Sequence, residues 1–97
     1  MFARAVNVRF QPDKVDDACR IVEGEIVPAM ESEEGLKGQL LLTQPDTGKA
    51  ISINFWETEE ALSAFGSSPR YGELMGKLAG VLAGPPEGDR YQVAIRT

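Results

Sequence analysis

Between Gly35 and Phe65 the chain reads GLKGQLLLTQPDTGKAISINFWETEEALSAF, and this stretch limits the fold more than any other. Two apolar segments with strand character flank Gln44-Pro45-Asp46-Thr47-Gly48, where Pro presets φ and Gly supplies a positive φ, the chemistry of a tight hairpin turn. Trp56 then leads into Thr58-Glu59-Glu60, an N-cap followed by acidic residues that complement the helix dipole. A β-hairpin running directly into a helix needs a sheet with helices packed on it.

The segments on either side extend that unit. Residues 2 to 10 alternate, with Phe2, Arg4, Val6, Val8 and Phe10 on one face and Ala3, Ala5, Asn7 and Arg9 on the other, which predicts the first strand. After Pro12 and Asp13, the residues Val15, Ala18, Cys19, Val22 and Ile26 fall at helical spacing, predicting a helix from about 13 to 32. Pro28 lies inside it and removes one backbone hydrogen bond, so a bend is expected there, either opening a cavity or wrapping the helix around a twisted sheet. Gly35 ends the helical region.

Leu36 to Thr43 forms the second strand, and its LLL run predicts burial on both faces. Lys49 to Trp56 forms the third, with Ile51, Ile53 and Phe55 on one face and Ala50, Ser52, Asn54 and Trp56 on the other. A helix over 58 to 65 is broken by Gly66-Ser67-Ser68-Pro69, after which Ser68 is expected to cap a last helix carrying Tyr71, Leu74, Met75, Leu78 and Leu82. Gly84-Pro85-Pro86 stops it, and Tyr91, Val93 and Ile95 alternate in a fourth strand.

The order is β-α-β-β-α-β. Right-handed crossovers place the first and third strands at the centre of a four-stranded antiparallel sheet with helices on one face, an α+β, ferredoxin-like layout. At 97 residues the chain is expected to make one domain over 1–97. A domain of this size buries about two-thirds of its unfolded surface, so a partner subunit over an open sheet face is expected to add stability.

Ten Lys and Arg against fifteen Asp and Glu give a net charge of −5, with no basic stripe. That excludes nucleic acid as an expected partner and disfavours anionic membranes. No apolar run approaches the roughly 20 residues of a membrane span, and the first ten residues alternate rather than forming a signal-peptide core, so a cytoplasmic location is expected. The one cysteine, Cys19, has no internal disulfide partner and reads as a buried thiol. The chain contains no histidine, which removes the commonest transition-metal and haem ligand.

The proline-containing entry to the first helix, Glu34-Gly35-Leu36 before the second strand, and Trp56-Glu57-Thr58-Glu59-Glu60-Ala61-Leu62 after the third resemble the antibiotic biosynthesis monooxygenase family of dimeric α/β barrels. The resemblance covers nearly the whole chain. It implies a homodimer in which two sheets meet face to face. Ile51, Ile53 and Phe55, with Val6 and Val8, are then expected between subunits, and Ala3, Ala5, Asn7, Ser52, Asn54 and Trp56 toward a pocket under the helices, with the reverse assignment also open.

Members that use no cofactor oxidise phenols or hydroquinones whose own anion passes an electron to dioxygen, and the protein binds the ring, favours its deprotonated form and excludes water. By this resemblance Asn7, Asn54 and Trp56 are the catalytic candidates, since amide and indole N–H groups donate to a phenolate without titrating. Ser52, Phe65, Tyr71 and Met75 are the substrate-binding candidates for a small aromatic or apolar ligand. Structural roles compete with these: a core or dimer anchor for Trp56, a backbone partner for Asn7, plain packing for Met75 and Tyr71. The haem-degrading branch shares an asparagine at Asn7, but Phe65 and Met75 stand where that branch places a tryptophan and an iron-ligating histidine. With no histidine and no convincing acid/base pair, a non-catalytic dimeric ligand-binding or accessory protein is the alternative function.

Overall fold

The computed structural model describes residues 1–97. Strands β1 (Phe2–Arg9), β2 (Leu36–Gln44), β3 (Lys49–Trp56) and β4 (Glu87–Gln92) form one sheet in the order β2-β3-β1-β4, every neighbouring pair antiparallel. This is the ferredoxin-like arrangement, with β1 and β3 central. The helical layer consists of a 3₁₀ turn (Pro12–Lys14), α1 (Val15–Ile21), a π-helical segment (Val22–Ile26), α2 (Val27–Met30), α3 (Glu59–Gly66) and α4 (Pro69–Gly76). No helix is long and apolar enough to cross a membrane.

Helix α1 passes through the π segment into α2, and the π segment is how the chain accommodates Pro28. Without an amide hydrogen at position 28, the carbonyl of Gly24 lacks its i+4 donor, and the Val27 N–H bonds to the Val22 carbonyl five residues back. At the start of α3, Thr58 caps as its sequence context predicts, its hydroxyl accepting from the Ala61 N–H at 3.1 Å. Ser68 differs from expectation: its hydroxyl donates backward to the Phe65 carbonyl at 2.7 Å, closing α3 instead of capping α4.

The last helix is shorter than its apolar stripe suggests. From Lys77 to Val81 the amides of Lys77, Leu78, Ala79 and Val81 bond to carbonyls three residues back, the tighter 3₁₀ pattern. Gly72, Gly76 and Gly80 weaken an α-helix here, yet Leu78 and Val81 remain buried. Strand β4 begins at Glu87, before the expected Tyr91, and stops at Gln92 because its partner β1 runs out at Phe2. Beyond it the Val93 amide donates to the Met1 carbonyl at 2.9 Å and Arg96 Nη1 to the Met1 sulfur at 3.5 Å.

Register decides which side chains meet the helices. Because Val6 pairs with Ser52 and Arg4 with Asn54, the even-numbered residues of β1 share a face with the even-numbered residues of β3. Phe2, Arg4, Val6 and Val8 therefore lie under the helices with Ala50, Ser52, Asn54 and Trp56. The expected face of β3 is correct and that of β1 is inverted: Ala3, Ala5 and Asn7 lie on the open face with Ile51, Ile53 and Phe55.

The core forms between the layers around Trp56, Phe10 and Leu62, each at most 1% exposed. Gly48 is required at the end of the hairpin turn. Its φ is +81°, and a Cβ there would stand 2.0 Å from the Phe10 carbonyl oxygen. Such close approach lets the Phe10 amide donate to the Gly48 carbonyl at 2.7 Å, stitching the turn to the end of β1. The open face keeps Leu40, Leu42, Ile51 and Tyr91 in solvent, so the LLL strand is buried on one side only in the single chain.

Candidate functional site

A cavity of about 330 Å³ lies between the sheet and the helical layer. Its floor is laid by the strand register. One row across the sheet carries Gln39, Asn54, Arg4 and Arg90, and the next carries Leu41, Ser52, Val6 and Gly88. Gln39, Asn54 and Ser52 thus bring three polar side chains from the sheet into a cavity whose walls are mostly apolar, among them Val22, Ile26, Met30, Leu74 and Leu78.

Asn54 is the buried polar residue of the core, at 7% exposure. Its side-chain amide makes no hydrogen bond to another protein group. Neither amide atom is sealed from solvent, since the sealed and unpartnered side-chain atoms are Arg4 Nε and Trp56 Nε1, so the Asn54 amide opens onto the cavity and is available to a hydrogen-bonding ligand.

Phe65 walls the cavity from α3 and stacks on Trp56, ring centroids 5.2 Å apart and planes at 29°. Tyr71 meets Phe65 edge-on at 5.6 Å and also lines the cavity. Behind Tyr71 lies Arg4, whose Cζ is 4.6 Å from the Tyr71 ring centroid and whose Nη2 donates to the Tyr71 hydroxyl at 3.2 Å. With its oxygen accepting from Arg4, the Tyr71 hydroxyl retains its own hydrogen for a further acceptor.

Arg4 forms no ion pair, and its buried Nε has no hydrogen-bond partner. The guanidinium fits a slot between Gly66, at the end of α3, and Gly88 of β4. A Cβ at either glycine would come within 3.1 Å of a guanidinium nitrogen. The partial negative charge at the C-terminus of α3 stabilises a cation in that slot.

Glu23 is the only carboxylate lining the cavity. It is exposed, belongs to the π segment and takes part in no salt bridge, which places it at the mouth. π segments recur at functional sites because they re-aim the side chains of one turn. Here Val22, Glu23, Ile26 and Val27 all face the cavity. No three His, Cys, Asp or Glu side chains gather as a metal-binding group.

Among the residues singled out from sequence, Asn54, Ser52, Phe65, Tyr71 and Met75 come together around this cavity. Asn7 does not: it is exposed on the opposite face of the sheet, paired with Ile51 and Glu87, for the register reason given above. Trp56 is fully buried and does not line the cavity, reaching it only through Phe65, and its Nε1 has no partner. Gln39, Arg4 and Glu23 escaped the sequence reading. The first two follow from the strand register, which the sequence does not state, and the third from the i−5 bonding that precedes Pro28.

An antiparallel sheet of this order, with helices on one face, defines a ferredoxin-like α+β protein, here with a mostly apolar cavity between its layers. The chain belongs to the antibiotic biosynthesis monooxygenase family, whose model matches residues 1–77. It is 28% identical over 95 residues to the uncharacterised Mycobacterium tuberculosis protein Rv2558, covering 98% of this chain and 39% of that protein. The related Rv2557 matches at 26% over 94 residues. The chain thus spans about two fifths of the length of these relatives, 39% and 41%.

Among solved structures, the fold is similar to a Streptomyces coelicolor monooxygenase from the gene ActVA-Orf6, in complex with the ligand nanaomycin D. The TM-score is 0.80 at 22% identity, covering 99% of this chain and 91% of that one. NE2512 of Nitrosomonas europaea, of unknown function, superposes with a TM-score of 0.80 at 16% identity, again covering 99% and 91%.

Proposed function

We propose that this protein is a cofactor-independent monooxygenase-like enzyme that oxidises a small phenol or hydroquinone in the cavity between sheet and helices. The observation that carries this reading is the Asn54 amide, without a protein partner and facing a chamber walled mostly by apolar side chains. The nanaomycin D complex of the similarly folded Streptomyces coelicolor monooxygenase supports a small-molecule site in this fold.

The chemistry follows from the residues. Asn54 donates to the ligand's oxygen and stabilises its anion, and Tyr71, held by Arg4, offers a second donor. Glu23 at the mouth is the carboxylate available to take the phenolic proton. The apolar walls exclude water while the bound anion passes an electron to dioxygen. In this reading Trp56 acts indirectly, by fixing the plane of Phe65.

The working unit is proposed to be a homodimer joined through the open sheet face. Leu40 and Leu42 are 45% and 51% exposed there, and a second subunit would cover them. Asn7 then belongs to the subunit interface.

A second reading, a ligand-binding protein without turnover, is favoured by the cavity interior, which offers amides, hydroxyls and a thiol and has its one carboxylate at the mouth. Oxygen uptake over a panel of hydroquinones separates the two. Uptake above the uncatalysed rate that disappears in Asn54→Leu supports the enzyme. Calorimetric binding of the same compounds with no uptake leaves the binding protein.

A further inference from the structure

Cys19 stands on α1 among the helix residues that wall the cavity, and it is half-buried and a free thiol. The sheet on the other side of that space carries Asn54, a residue more than nine-tenths buried whose amide has no protein partner, so two independent features line one chamber. A ring oxygen held by Asn54 on the floor leaves the rest of the ring against the helical wall where the thiol lies.

We propose that Cys19 is a covalent capture site for quinones, the oxidised form of the substrate class assigned above. The inference rests on that reading of the cavity. A quinone ring carbon conjugated to a carbonyl is electrophilic, and the cysteine sulfur is the nucleophile that meets it. The sulfur–carbon bond forms at that ring carbon. The thiol proton goes to one carbonyl oxygen, and the displaced ring hydrogen moves to the other as the ring regains aromaticity. The product is a hydroquinone thioether: the quinone is reduced by two electrons as the sulfur–carbon bond is made, and no outside oxidant or reductant enters. The ring stays in the chamber, so capture closes the site to further substrate. Quinone accumulation thereby shuts down the protein that makes or binds it.

The test uses the intact protein with equimolar 1,4-benzoquinone, followed by whole-protein and peptide mass spectrometry. The expected result is one added quinone per chain, located on Cys19 and missing in Cys19→Ala. Because the cavity holds ring and thiol together, capture should be about tenfold or more faster than for glutathione at the same pH. Excess phenol under anaerobic conditions, which occupies the cavity but offers the thiol no electrophilic carbon, should slow it, and Asn54→Leu should bring the rate down to that of glutathione. Labelling no faster than glutathione, or unaffected by phenol, overturns the proposal. A parallel calorimetric titration with phenol separates the failures. Phenol binding without accelerated capture overturns the Cys19 inference alone, whereas no phenol binding and no acceleration overturn the cavity reading with it.

Discussion

The guanidinium of Arg4 lies over the ring of Tyr71, 4.6 Å from its centroid, and donates to its hydroxyl at 3.2 Å, joining the sheet floor to the helix that walls the cavity. Tyr71→Phe keeps the ring under the cation and removes the oxygen. A partly buried hydrogen bond to a charged group is worth about 1.5 kcal/mol. The urea midpoint should fall accordingly, and affinity for phenols should fall with it. An unchanged midpoint would show that solvent replaces the lost acceptor.

Asn54→Leu removes an amide that has no partner in the protein and substitutes an apolar side chain of similar size. Stability should stay within about 1 kcal/mol, since no hydrogen bond within the protein is lost. Phenol affinity measured by calorimetry should fall about tenfold, the equivalent of one hydrogen bond. Destabilisation by more than about 2 kcal/mol would instead mark the amide as structural.

Pro28→Ala restores the amide hydrogen whose absence accompanies the π segment. The helix should gain stability, by about 1 kcal/mol or more. Return to α-helical register turns Val22, Glu23, Ile26 and Val27 away from their present positions, so ligand affinity should drop while the denaturation midpoint climbs. Opposite movement of the two measurements is the signature; joint movement would disconnect the π segment from the cavity.

At Gly48 the backbone conformation and the neighbouring Phe10 carbonyl both forbid a side chain. Gly48→Ala should destabilise the fold by at least about 2 kcal/mol. The amides of Phe10 and Gly48 should lose hydrogen-exchange protection together, because the turn and the end of β1 are stitched there.

On the open sheet face, Leu42→Glu places a charge among side chains that a second subunit would desolvate. Sedimentation equilibrium should report a dimer for the native protein and a monomer for the variant, with far-UV circular dichroism unchanged. A native monomer would refute the proposed assembly.

The order of elements was legible in the sequence because each announces itself locally: alternation in β1 and β3, the Thr58 cap, the turn at Gln44 to Gly48. Pairing was not. Nothing within the sequence of β1 states that Arg4 lies opposite Asn54 rather than Ile53, and that one-residue difference carries Asn7 to the far side of the sheet. The apolar character of Ile51, Ile53 and Phe55 identified the open face correctly on β3. Val6 and Val8 looked equivalent to them and lie in the core. Trp56 was singled out for its indole donor, whereas its packing against Phe65 decides its place.

That stack gives the molecule its own optical gauge. Trp56 is the sole indole, sealed from water and resting against the ring that forms one wall of the cavity. Its emission should therefore be blue-shifted in the empty protein and should respond to any occupant that presses on Phe65. Filling of the chamber can be followed in unlabelled protein, turnover or none, by light alone.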